Sequence, residues 1–226
     1  MSESPLDAGV MLPASIRAVL FDFDGTLAPN LDLPDMRRQV IALTEGFAVP
    51  AAAYADRYIV EVIEAARDWL IAAGQSAAAG AYHKQAHELI TEIEISAAAD
   101  TRIFDGVPEL LHTLRTAGIQ TGIVTRNCRP AVLQVFPDAS SLVDSIRTRS
   151  DVTHLKPDPR HLRICLEDIN CVPEHAAMVG DGALDMRAGK ALGLFCIGVL
   201  TGSADADALS KAGADRVLDN VVTLSA

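Results

Sequence analysis

The chain has 226 residues, of which 50% are hydrophobic and 22% charged, and its formal net charge is -11 at pH 7. This composition is typical of a globular protein that buries a sizeable core, in one large or two small domains. The negative charge argues against a nucleic-acid surface or an anionic membrane face, so an anionic substrate must be bound by a few local cations and donors.

Targeting segments and disulfides are not expected from the sequence. The first 13 residues carry Glu3 and Asp7 without a basic region, and no segment reaches the ~18 apolar residues of a membrane span. The four cysteines lie singly and form no CxxC pair. We therefore expect reduced thiols and a cytoplasmic location.

The first predicted element is a short buried strand that ends in an acidic motif. Residues 18–21 form a continuous apolar run, and Asp22 and Asp24 follow it. Extended backbone places residues i and i+2 on the same side, so the two carboxylates need a cation, for which Mg2+ is suited. Gly25 permits a sharp turn that brings backbone N–H groups near an anion. The motif predicts a metal-assisted phosphate site.

A helical segment comes next in the chain. Residues 35–99 are rich in Ala, Glu, Ile and Leu, with apolar residues at helical spacing, and breaks are predicted at Pro50, Gly74 and Gly80. This predicts an inserted subdomain of three or four helices at residues 32–99.

Two histidines of this helical segment have a spacing that can bind zinc. His83 and His87 are four residues apart on one predicted helix face. No third ligand is evident from the sequence, and a solvated helix face is the simpler interpretation. Both also belong to a set of candidate substrate-side cations that includes Arg57, Arg67 and Lys84.

From residue 101 onward, predicted strands alternate with predicted helices. The strands are expected at residues 119–125, 145–148, 176–181, 195–200 and 216–218. This alternation predicts an α/β fold with a doubly wound, mostly parallel, Rossmann-like sheet, formed by residues 1–31 and 100–226. Ligands of such sheets bind beyond the carboxyl ends of the strands, where Asp22, Thr125 and Asp181 are expected.

Four motifs in this pattern occur in a fixed order. They are Asp22-Phe-Asp24-Gly-Thr-Leu27, Val124-Thr125, Lys156-Pro157-Asp158-Pro159 and Gly180-Asp181-Gly-Ala-Leu-Asp185. The set resembles the four motifs of the haloacid dehalogenase-like (HAD) hydrolase superfamily. The helical insert resembles the small cap of the phosphoglycolate phosphatase-like branch, and the resemblance covers about residues 16–220.

The resemblance implies a catalytic role for three of these residues. Asp22 is the nucleophile that forms an aspartyl-phosphate. Asp24 protonates the leaving alkoxide and then activates the water that hydrolyses the ester, and its backbone carbonyl ligates the metal. Lys156 stabilises the charge of the nucleophile and of the transferring phosphoryl group.

The same resemblance implies a Mg2+ site and a phosphate-binding set. The metal residues are Asp22, Asp24, Asp181 and Asp185. Asp181 is the better direct ligand, whereas Asp185 either ligates through water or orients Lys156.

Further residues are candidates for phosphate or substrate binding. Thr125 would hold a phosphoryl oxygen, with Gly25, Arg126 and Asn127 beside it. A surface role fits Arg126 equally well.

These expectations define an enzyme, a phosphoric monoester hydrolase. It is predicted to be a Mg2+-dependent phosphatase of a small phosphorylated metabolite, either phosphoglycolate-like or a sugar phosphate. The alternative is a phosphosugar mutase of the β-phosphoglucomutase type. A regulatory protein with a silent site fits less well because the acidic residues are intact, and Asp24 argues against dehalogenation. The expected partner is a small-molecule phosphate ester, with no nucleic acid and no membrane, and the protein is expected to be a monomer or homodimer.

Overall fold

The structure is a computed structural model that describes residues 10–225. These residues form two compact units. The first comprises the residues up to Asn30 together with those from Ala98 onward, and the second is Leu31–Ala97. Among the described residues, every helix lacks the length or the hydropathy that a membrane span requires.

A parallel sheet is the framework of the first unit. The strands of the protein are β1 (Val10–Met11), β2 (Ala18–Phe21), β3 (Gln120–Val124), β4 (Ser145–Arg147), β5 (Ala176–Gly180), β6 (Phe195–Val199), β7 (Arg216–Leu218) and β8 (Leu224–Ser225). Six of them form one sheet in the order β4-β3-β2-β5-β6-β7, in which every neighbouring pair is parallel. β1 and β8 form a separate parallel pair.

Helices cover both faces of this sheet. The helices of the protein are α1 (Leu33–Gly46), α2 (Ile59–Ala72), α3 (Ser76–Ala98), α4 (Val107–Thr116), α5 (Arg129–Val135), α6 (Ala139–Leu142), α7 (Arg160–Asp168), α8 (Ala183–Leu192) and α9 (Ala206–Ala212), and α4 to α9 are those that pack on the sheet. Val19 and Phe21 pack in one core with α4, α5 and α6, whereas Ala18 and Leu20 pack in a second core with α7, α8 and α9. Because successive side chains of a strand point to opposite faces, β2 must be apolar throughout. The predicted doubly wound α/β sheet is confirmed.

The chain leaves and re-enters the first unit at one place. The backbone N–H of Phe104 donates to the carbonyl of Leu27 at 2.9 Å. Leu27 and Ala28 are buried in the same core as Val107, the first residue of α4. The two ends of the segment between β2 and β3 are therefore joined to each other within the first unit.

The second unit is helical and has its own core. α1, α2 and α3 share a cluster that includes Val40, Ile63 and Tyr82, and the Thr44 hydroxyl lies 2.7 Å from the Tyr82 hydroxyl. The predicted break at Gly80 is wrong, because α3 continues through it. A glycine inside a helix costs only about 1 kcal/mol relative to alanine, which packing of the flanking residues outweighs.

Candidate active site

Three carboxylates meet at the carboxyl edge of the sheet. Asp22 follows β2 and Asp181 follows the neighbouring β5, while the Asp22 backbone N–H donates to Val179 at 2.9 Å. Asp185 comes from the first turn of α8. One oxygen from each of the three lies within 4.8 Å of the others. The strand order brings together residues that are distant in sequence, as expected for a parallel sheet.

Lys156 bridges two of these carboxylates. Its Nζ donates to Asp22 Oδ1 at 2.7 Å and to Asp185 Oδ1 at 2.6 Å. Only 2% of the Lys156 side chain is exposed. Burial alone would lower the pKa of Lys156, but the charges of Asp185 and Asp22 raise it above its ordinary value. Lys156 is therefore a buried, charged ammonium that fixes the orientation of Asp22.

The three carboxylates carry more negative charge than the Lys156 ammonium group can neutralise. Burial, together with the charge of Asp22, raises the pKa of Asp185 to about 7 and that of Asp181 above its ordinary range. A further positive charge would stabilise all three carboxylates in ionised form. Carboxylate oxygens at this spacing are the donors that a hard divalent cation prefers. The residues present therefore fit a Mg2+ ion.

Asp181 is oriented by the loop that follows β6. Ser203 donates to Asp181 Oδ2 through its backbone N–H at 2.6 Å and its hydroxyl at 2.9 Å, and Asn30 Nδ2 lies 3.5 Å from the same oxygen. Thr201 donates its hydroxyl to the Gly25 carbonyl at 2.6 Å. Asn30, Thr201 and Ser203 were not predicted from the sequence. For Thr201 and Ser203, the available signal was the Thr-Gly-Ser loop after a predicted strand.

Two glycines let the backbone approach Asp181 closely. Gly25 has a φ of +78°, and a Cβ built on it would lie 2.7 Å from Asp181 Cγ. A Cβ on Gly202 would lie only 2.0 Å from Asp181 Oδ2. Any side chain at either position would displace the Asp181 carboxylate.

We predict that Gly202→Ala weakens metal binding while the fold persists. The added methyl moves Asp181, so the dissociation constant for Mg2+ should rise by about 10–100-fold, as when a metal ligand loses its support. Titration calorimetry with Mg2+ measures this. The control is Gly80→Ala, where a Cβ would meet nothing within 4 Å. An unchanged dissociation constant in Gly202→Ala would show that Asp181 is not the ligand.

Asp24 lies beside Asn127 and not in the carboxylate cluster. Asn127 Nδ2 donates to both Asp24 oxygens at 3.1 Å, while the Cys128 backbone N–H donates to Asn127 Oδ1 at 2.7 Å. The backbone N–H of Asn127 also donates to the buried Thr125 hydroxyl at 3.0 Å. The structure thus places the Asn127 amide against the carboxylate of Asp24, the proposed acid–base residue. Thr125 lies directly after β3. Contact of either with substrate stays a prediction.

Arg126 and His161 both contact the backbone of Lys156. The Arg126 guanidinium donates to the Lys156 carbonyl, and the Lys156 N–H donates to His161 Nδ1 at 3.3 Å. Burial and the charge of Lys156 lower the pKa of His161 to about 3, so this imidazole is neutral. His161 was not predicted from the sequence. Contact of Arg126 with substrate stays a prediction, and its hydrogen bond to the Lys156 carbonyl supports the backbone of that residue.

Comparison with known proteins identifies the family of the chain. The model of the haloacid dehalogenase-like hydrolase family matches residues 16–193. The chain therefore belongs to the haloacid dehalogenase-like hydrolases, and the family and the hydrolase class predicted from its motifs are confirmed.

Individual relatives cover different shares of the chain. Pyrophosphatase PpaX of Bacillus velezensis is 35% identical over 63% of this chain, which spans 62% of that relative's length. A phosphoglycolate phosphatase of Pseudomonas putida is 24% identical over 92% of this chain and 78% of its own. The structure of a β-phosphoglucomutase of Clostridium difficile has a TM-score of 0.66 and 17% identity, covering 93% of each chain. This last similarity shows that the two proteins share a fold.

Proposed function

We propose that the protein is a Mg2+-dependent phosphatase that hydrolyses a small phosphorylated metabolite through an aspartyl-phosphate. The observation that carries the proposal is Lys156, which is buried and bonded to both Asp22 and Asp185 next to Asp181. A phosphate monoester dianion repels a carboxylate nucleophile, so the site must supply positive charge at the point of attack. Lys156 supplies part of that charge from the protein itself.

Each residue of the site has a defined part in this chemistry. A carboxylate oxygen of Asp22 bonds to phosphorus as the bond from phosphorus to the leaving oxygen breaks. Asp24 donates a proton to that leaving oxygen and then accepts one from the water that attacks the phosphoryl group. Asn127 keeps the Asp24 carboxyl in place through its two hydrogen bonds. The Thr125 hydroxyl would donate to a phosphoryl oxygen.

The metal would be held by Asp22 and Asp181, with the Asp24 backbone carbonyl as the ligand that the family resemblance implies. When bound, Mg2+ supplies Lewis-acid stabilisation of the phosphoryl oxygens. Asp185 is bonded to Lys156 and to the backbone N–H of Gly182 at 3.1 Å. Its role in the proposal is therefore to orient Lys156, with ligation through water as the second possibility.

In this proposal the first unit performs the chemistry and the second unit selects the substrate. Every residue named in the carboxylate site belongs to the first unit, so the chemistry is assigned there. We assign substrate choice to the helical cap subdomain at residues 32–99, since the substrate class of phosphoglycolate-like or sugar phosphates is not defined by the core. A cytoplasmic monomer or homodimer completes the proposal, and the four cysteines are free thiols, which agrees with a reducing compartment.

Phosphate release from an aryl phosphate tests the function. We expect the purified protein to release phosphate with Mg2+, to lose this activity when EDTA removes the metal, and to regain it when Mg2+ is restored. Full activity in EDTA would contradict the metal-dependent proposal. The mutase alternative is tested on hexose 1-phosphates, where an isomeric hexose phosphate would accumulate in place of free phosphate.

A further inference from the structure

A second group of metal-ligating side chains lies in the helical unit. His83 and His87 project from α3, and Glu64 projects from α2. His83 Nε2 lies 2.9 Å and His87 Nε2 lies 3.5 Å from the same atom, Glu64 Oε1. The two imidazole rings have centroids 4.4 Å apart. The structure therefore provides the third donor that the sequence analysis did not find.

The opposite oxygen of Glu64 is held by a separate partner. The Arg67 guanidinium pairs with Glu64 Oε2, one turn along α2. Arg67 is itself paired with Asp68, with a distance of 2.7 Å from Nη2 to Oδ1. This arrangement fixes the carboxylate plane and directs Oε1 toward the two imidazoles. Metal ligands are commonly oriented by such an outer contact.

The contacts of Glu64 favour its ionised form. The hydrogen bond from His87, with contributions from His83 and Arg67, lowers the pKa of Glu64 to about 2 despite partial burial. The exposed fraction of the three side chains is 37% for Glu64, 35% for His83 and 31% for His87. A solvent ion can therefore reach a charged carboxylate and two imidazoles without unfolding of the helices.

We propose that Glu64, His83 and His87 bind a Zn2+ ion through Oε1 and the two Nε2 atoms. Tetrahedral Zn2+ with bonds of about 2.0–2.1 Å places its donor atoms about 3.3–3.5 Å apart. The distance of 3.5 Å from His87 Nε2 to Glu64 Oε1 matches this spacing, and all three donor atoms already lie within 4.8 Å of one another. The His83 contact of 2.9 Å must lengthen by a few tenths of an ångström.

The ion would take the place of the direct contacts between the two imidazoles and the carboxylate. Each Nε2 must be unprotonated to ligate, so each imidazole would bind as its Nδ1–H tautomer. Three protein ligands leave one coordination position for water. The bound ion would connect α2 to α3 at a point where Glu64 and His83 otherwise share a hydrogen bond. It would therefore stabilise the helical unit.

Zinc titration in saturating Mg2+ tests the proposal, because Mg2+ occupies the carboxylate site and does not suit imidazole ligands. We expect one Zn2+ per chain, measured by competition with a chromogenic chelator. His83→Gln and His87→Gln should each raise the dissociation constant by more than about 100-fold, since loss of a ligand exceeds loss of a supporting contact. The control His112→Gln, an exposed histidine of α4, should leave it unchanged. Wild-type affinity in both site variants would overturn the proposal.

Two further measurements separate this site from the active site and from misfolding. The Asp22→Asn variant should bind Zn2+ as tightly as the wild type, and loss of binding there would overturn the assignment to α2 and α3. Co2+ added to the wild-type protein in Mg2+ should give the intense visible absorption of a tetrahedral, imidazole-ligated ion. Absence of that absorption would also overturn it, independently of whether any variant folds.

Discussion

Asp22→Asn is expected to lower phosphate release by on the order of 10⁴-fold or more, the scale seen when a covalent nucleophile is removed. The amide cannot attack phosphorus, yet it is nearly isosteric with the carboxylate. Lys156 keeps its bond of 2.6 Å to Asp185, so the fold should persist. Steady-state assays with Mg2+, alongside thermal melts of the variant, measure the two effects separately.

The matched control for this change is Asp207→Asn, at an exposed position in the first turn of α9. It makes the same chemical replacement away from the carboxylate cluster and should leave the rate within experimental error. If Asp22→Asn retained activity close to the wild type, a covalent mechanism through Asp22 would be ruled out. A loss of activity accompanied by a collapsed melting curve would point to misfolding, which the melts are designed to detect.

Lys156→Met is expected to lower both activity and stability. The variant leaves Asp22 and Asp185 facing each other without the ammonium, and loss of one partner of a buried ion pair costs about 3–5 kcal/mol of unfolding free energy. Activity should fall by about 10²–10³-fold, since a preorganised charge at the phosphoryl group is lost. Urea denaturation without Mg2+ and kinetic assays with Mg2+ check the two results. Lys211→Met, at an exposed lysine of α9, is the control.

A double variant distinguishes the stability effect from the catalytic effect. Lys156→Met with Asp185→Asn removes one buried negative charge as well as the ammonium, so much of the lost stability should return. Activity should stay low, because the positive charge beside Asp22 is still missing. Recovery of full activity in the double variant would mean that Lys156 only neutralises Asp185 and does not act on the transferring group.

The strands of the first unit were predictable because their continuous apolar runs are typical of strands that are buried on both faces of a sheet. Residues 18–21 and 176–180 are continuous apolar runs that end in aspartate, and burial on both faces requires such runs. Parallel pairing then places Asp22 and Asp181 side by side without any further information. The break predicted at Gly80 failed because a local propensity of about 1 kcal/mol does not decide a helix that packs along its length.

Side-chain pairing was less accessible from the sequence than strand placement. The sequence left open whether Asp185 ligates metal through water or orients Lys156, and the structure has it bonded to Lys156. Ser203 was missed because small polar residues occur in most loops and carry no motif. Glu64 was missed as a partner of His83 because it is on another helix, and helical periodicity relates residues only within one helix.

The hydrogen bond between Phe104 and Leu27 joins the two ends of the insertion within the first unit, where β2 also pairs directly with β3. A change in the length or sequence of the helical unit therefore leaves both connections in place. Under the proposed function, a new substrate preference would require the exchange of one contiguous stretch of gene, and the carboxylates that carry the chemistry would be retained.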